Sequence, residues 1–176
     1  ALERFLDRLF ADHSLSAIHA LLPEVERQVQ QYDNAHVLLA FWLSSLNRRL
    51  QVRLHSLYSQ PVLPSQRIVI QKAAQTPEYL AKMIALFCFE QGYQAIELSD
   101  SGTLEQVLAA ARPLAIQGVI FVDHNATATA QWSVCFKKYA SMRTWVLGND
   151  SLTKLQPPSV NCELRVCSRW FTPLSL

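Results

Sequence analysis

The stretch from Arg67 to Tyr93 restricts the fold more than any other part of the chain. A β-branched run, Ile68 to Ile70, leads into a polar loop, and Thr76-Pro77-Glu78 then marks a helix start. Leu80, Met83, Ile84, Phe87 and Phe89 supply a broad apolar face before Gly92 stops the helix. Proline at a first turn and glycine just past a last one are helix punctuation, so the spacing predicts a buried strand, a tight loop and a helix. Segments after it repeat that unit, whereas segments before it keep a helical period. The loop after this strand therefore lies where two architectures meet, which is where a ligand is first expected.

Continuing in the same way, strands are predicted near 67–71, 94–98, 117–122, 143–147 and 161–166. Helices are predicted near 77–91, 103–115 and 127–141, with a shorter one near 151–155. Strands alternating with helices require parallel pairing through right-handed crossovers. Five such strands imply a flavodoxin-like, doubly wound parallel sheet over 67–176.

Before it, Leu2, Phe5, Leu6, Leu9 and Phe10 share one helical face, and Leu15, Ile18, Leu22, Val25 and Val29 continue the period around Pro23, which either opens a helix or kinks one. After Asp33-Asn34 as a cap, Val37 to Leu57 carries Leu38, Phe41, Leu46, Leu50, Leu54 and Leu57, with Leu39, Trp42 and Leu43 widening the arc. A helix apolar on most sides is expected to be buried by its neighbours. Residues 1–59 thus read as a helical bundle, joined by a proline-containing linker over 60–66 to the sheet domain.

Sixteen basic against fourteen acidic residues leave a formal charge of +2, too small to draw the whole chain to nucleic acid or acidic membranes. No apolar run reaches the roughly 18 residues of a membrane helix, and no signal peptide is visible. Cys88 and Cys135 fall in apolar helical segments, Cys162 and Cys167 near the last strand, a pattern of reduced core thiols in a cytoplasmic protein. The chain begins at Ala1 inside an amphipathic helix, so a preceding segment is expected.

Ligands of open α/β sheets bind beyond the carboxyl ends of the strands. The loops there are polar but hold no complete motif. Lys72 to Glu78 has no glycine, which removes the dinucleotide and Walker-type phosphate loops. Asp123 closes the third strand, as a phosphoacceptor would, yet Lys72-Ala73 stand where the acidic Mg2+ ligands belong and Gly148 where a hydroxyl belongs. Asp123 then reads as a cap for a helix from Asn125. His124 is a metal or haem ligand, an acid/base, or a plain loop residue, and no second ligand lies at metal spacing. His13, His19, His36 and His55 read as surface or capping residues. Ser99-Asp100-Ser101-Gly102 reads as a turn with a helix cap, and Arg48, Arg49 and Arg53 as the solvated side of a helix. Trp170 and Phe171 either pack in the core or dock on the bundle.

The order of parts, together with Ile68 to Glu78, Phe87 to Leu98 and Leu104 to Phe121, resembles the cobalamin-binding module of methionine synthase and of MerR-type light- or cobalamin-responsive transcriptional regulators. That resemblance implies a pocket built from Trp42, Thr76, Glu78, Leu80, Ser99, Asp123, His124, Gly148 and Asn149. It also implies a histidine in an acidic-x-His-x-x-Gly motif that replaces the lower ligand of cobalt. Glu78 matches the acidic position, but Leu80 stands at the histidine and Met83 at the glycine. The Trp42 segment lacks the Glu-His pair that covers the upper face in light sensors, and only Gly148 of the later glycine pair is kept, as Gly148-Asn149. The expectation is a non-enzymatic sensory or oligomerisation domain without His-ligated cobalamin. It would form homo-oligomers, and its DNA contacts would come from a helix-turn-helix preceding Ala1. The alternative is a tetrapyrrole sensor that holds base-on cobalamin, or haem through His124 or a cysteine, at the bundle and sheet interface.

Overall fold

The computed structural model describes residues 2–60, 66–98, 101–111, 113–125, 129–157, 159–166 and 169–174. Three helices come first, α1 (Leu2–Asp12), α2 (Leu15–Val29) and α3 (Ala35–Tyr58). Strands β1 (Arg67–Lys72), β2 (Gln94–Leu98), β3 (Ile116–Asp123), β4 (Arg143–Gly148) and β5 (Cys162–Val166) then alternate with α4 (Glu78–Glu90), α5 (Ser101–Ala109), α6 (Thr129–Lys138) and a 3-10 turn at Asp150–Lys154. All five strands pair in parallel in the order β2-β1-β3-β4-β5.

Alternation along the strands divides the core in two. Ile68, Ile70, Ile120, Val122, Trp145 and Leu147 face α4 and the first three helices, in one cluster with Leu46, Leu50, Leu80 and Trp170. Val69, Val119, Phe121 and Val146 face the other way, onto Leu108, Trp132, Phe136 and Leu152. There the Phe121 ring centroid lies 4.2 Å from that of Trp132, tilted, and 4.5 Å from that of Phe136, edge-on. The three N-terminal helices therefore share a core with the sheet, and much of the contact is α3 lying against α4.

Several sequence expectations change. The helix expected over 103–115 ends at Ala109, because Pro113 has no N–H to give a helix and the turn before β3 puts Ala115 at φ 53°. The helix expected over 127–141 ends at Lys138, and its first residues, 127 and 128, lie outside the described residues. Pro23 lies within α2, which runs from Leu15 to Val29 as one helix. The linker at 61–65 lies outside the described residues.

α3 is not buried on most sides. Trp42, Ser45, Leu46, Leu50 and Leu54 form one buried stripe, while Val37, Phe41 and Val52 are each more than half exposed. Its neighbours α1, α2 and α4 cover a single face, so the remaining apolar arc meets solvent. Phe5 of α1 is likewise half exposed. Arg48 and Arg49 pair with Glu3 and Asp7, and the Arg53 guanidinium sits 5.0 Å over the Phe10 ring, so this row fastens α3 to α1.

Cys88, Cys135 and Cys162 are free thiols, and Cys167 lies outside the described residues. Burial pushes the Cys88 and Cys162 thiols up to about 12, which keeps them protonated and unreactive near neutral pH. Among the described residues no helix is long and apolar enough to cross a membrane.

Candidate functional site

The strand order reverses direction at β1, which makes the crevice between the carboxyl ends of β1 and β3 the switch point where such sheets bind ligands. Here the chain bridges that crevice itself. The Ala73 N–H donates to the Val122 carbonyl at 2.8 Å. The buried Thr76 hydroxyl donates to the same carbonyl at 3.0 Å and accepts from the His124 N–H at 3.1 Å. Backbone groups that a phosphate or sugar would otherwise satisfy are thus already satisfied by the loop after β1.

Gly148 serves the same closeness between strands. A Cβ there would lie 2.5 Å from the Asp123 carbonyl and 2.9 Å from Leu152 Cδ1, so β4 needs glycine to reach its partner. Asn149 begins the 3-10 turn, and its Oδ1 accepts from the Ser151 N–H at 3.0 Å. Asp123 is buried at the end of β3, and residues 126–128 before α6 lie outside the described residues.

Above this end of the sheet lies the segment from Arg169 to Leu174. The Trp170 indole is fully buried, its ring centroid 5.2 Å from the imidazole of His19 on α2 and 6.4 Å from that of His124. Phe171 meets His19 at 5.6 Å and Phe87 of α4 at 5.8 Å, both edge-on. Arg165, almost fully buried on the edge strand β5, holds the segment down. Its guanidinium donates to the Thr172 carbonyl and hydroxyl, each at 2.8 Å, and to the Pro173 carbonyl at 3.1 Å, while Glu163 orients it from two residues away. Trp170 is thus both a core residue and the docking contact to the N-terminal helices.

The structure brings together Thr76, Asp123, His124, Gly148 and Asn149 at the ends of β3 and β4. It does not bring in Leu80, Glu78 or Trp42. Leu80 is fully buried in the core rather than turned to the loop, and Glu78 is an exposed partner of Lys82. Trp42 is buried in α3, with Phe5 as its ring neighbour at 6.5 Å. Ser99 lies outside the described residues. No imidazole stands where the resemblance puts the cobalt ligand, so the residues do not fit His-ligated cobalamin at that position.

His19 is a residue that sequence reasoning passed over as surface. Burial, and then the charge of His124, depress its pKa below 6.5. The signal was present, since Leu15, Ile18, His19 and Leu22 fall on one helical face.

A second polar centre was also passed over. Lys82 of α4 is buried, and its ammonium donates to Gln51 Oε1 of α3 at 2.9 Å and pairs with Glu78 at 2.9 Å. Glu97 of β2 lies 3.8 Å from the same ammonium and shares a hydrogen bond with the Tyr58 hydroxyl. Burial raises the Glu97 carboxyl above its usual range, with Lys82 opposing the shift.

Comparison of the chain with protein-family models and with curated proteins gives no match to either. Among the described residues no group of three or more His, Cys, Asp or Glu side chains is placed to hold a metal ion.

Proposed function

We propose that this chain is a non-catalytic sensory or oligomerisation module, a helical bundle on a flavodoxin-like domain, serving as the effector part of a MerR-like transcriptional regulator and working without His-ligated cobalamin. The observation that carries this reading is the Trp170 indole packed between His19 of α2 and His124 at the end of β3. A flat aromatic side chain of the protein itself fills the volume between the helices and the strand ends.

Two further observations support the reading. The strand order 2-1-3-4-5 is that of flavodoxin-like domains. Val37 and Phe41, one turn apart on α3, leave an apolar strip open to solvent, which suits contact between copies. DNA recognition is assigned to a helix-turn-helix outside this sequence.

Sedimentation of the chain tests the assembly part directly. The expected result is a concentration-dependent oligomer that V37S together with F41S converts to a monomer that still unfolds cooperatively. A monomer at all concentrations, or an oligomer indifferent to both substitutions, contradicts it.

A further inference from the structure

Beside the N-terminal half of α4 is a cavity of about 260 Å3, lined by Ile70, Lys72, Ala81, Lys82, Glu97 and Leu98, with Glu78 at its exposed rim. It lies on the β1–β2 side of the sheet and is separate from the crevice that Thr76 bridges.

Its charges are only partly paired. Lys82 is occupied by Gln51 and Glu78, and its approach to Glu97, at 3.8 Å, is too long for a hydrogen bond. An ionised carboxylate offers about four lone-pair directions, and Tyr58 takes one of those on Glu97. Lys72 also lines the cavity, and its ammonium has no carboxylate partner among the described residues. Ile70 and Ala81 give the space between them an apolar floor.

A carboxylate with spare acceptor capacity, an ammonium unpaired among the described residues and an apolar floor are complementary to a small zwitterion with a hydrocarbon side chain. We propose that this cavity binds an aliphatic α-amino acid. Its ammonium is held by Glu97, its carboxylate by Lys72, and its side chain lies on Ile70 and Ala81. A purely anionic ligand would leave the Glu97 carboxylate facing like charge, and a purely cationic one would leave Lys72 unpaired. Because Gln51 and Tyr58 of α3 reach Lys82 and Glu97, an occupant would bear on the contact between the helices and the sheet. The inference does not rest on the sensory reading above, since the cavity would bind its ligand whether or not the chain serves a regulator.

The test is titration of the whole chain with L-leucine, followed by calorimetry and by chemical shifts. Saturable binding is expected. Loss of one charge-assisted contact, in K72M or E97Q, should weaken it by about tenfold or more. Isovalerate and isopentylamine, which each keep one charge, should bind weaker by a similar factor of about tenfold. K72M alters a part-exposed side chain and keeps the comparison open if E97Q fails to fold. Absence of saturable binding by any aliphatic amino acid at millimolar concentration, or binding indifferent to K72M, overturns the proposal.

Discussion

The indole of Trp170 stacks at 5.2 Å on the imidazole of His19, joining the segment after the last strand to the second helix of the chain. Residues far apart in sequence thereby meet over the carboxyl end of the sheet. The same indole faces His124, so one side chain closes the helical layer onto the strand ends.

Removing that side chain should cost stability on the scale of a core aromatic. Trp170 is 1% exposed, and its neighbours are held by α2, α4 and the sheet, so little collapse into the space is available. W170A is expected to lower unfolding free energy by about 3–5 kcal/mol. The midpoint of urea unfolding measures it, and a loss typical of a surface substitution would show that the indole is not structural.

Stability should also fall in mildly acidic solution through His19. Its folded pKa is depressed, by burial first and by His124 second, so the unfolded chain binds the proton more readily. The contribution is fully present above the ordinary value of 6.5 and is lost as pH falls through 6.5 towards the folded pKa. H19F should flatten the part of the stability profile below pH 6.5. The check is chemical denaturation at a series of pH values.

Arg165 should act through the segment it holds. R165M removes the donors to Thr172 and Pro173 and leaves Glu163 without its partner. The expected loss is about 1–3 kcal/mol. Hydrogen exchange and proteolysis should rise first within 169–174, while α4 and β1 to β4 keep their protection. Uniform loss of protection across the sheet would assign Arg165 a global role instead.

Gly148 occupies a crowded position between β4 and β3. In G148A the new methyl group would lie against the backbone carbonyl of Asp123, which has little freedom to move. About 1–3 kcal/mol of destabilisation is expected. A melting curve superimposable on the parent would show that β3 and β4 can part at this end.

The parallel sheet was legible because its central strands are short β-branched or aromatic runs, Ile68 to Ile70 and Val119 to Val122, bounded by helices of clear period. Burial on both faces makes such runs stand out. Periodicity extends α5 too far because apolar residues continue past Ala109, whereas Pro113 limits the helix. Phe41 was placed in the core because periodicity reports that a face is apolar, not that anything covers it.

The site was less legible than the fold. Lys82 follows Glu78 by four residues and looks like an ordinary surface pair, and only the approach of α3 and β2 makes it buried. Thr76 was recognised as a loop residue, but its bond to β3 is a long-range contact with no local sequence signal. The fate of Trp170 depended on where α2 lies, which the linear sequence does not encode locally.

The most direct test is an absorbance titration of the purified chain with cobalamin and with haem, each followed by gel filtration. With Trp170 filling the space between His19 and His124, and Leu80 buried where a cobalt ligand would stand, neither chromophore should co-elute with the protein or change its spectrum. Stoichiometric co-elution of cobalamin, or a haem Soret shift that H124A abolishes, would contradict the account.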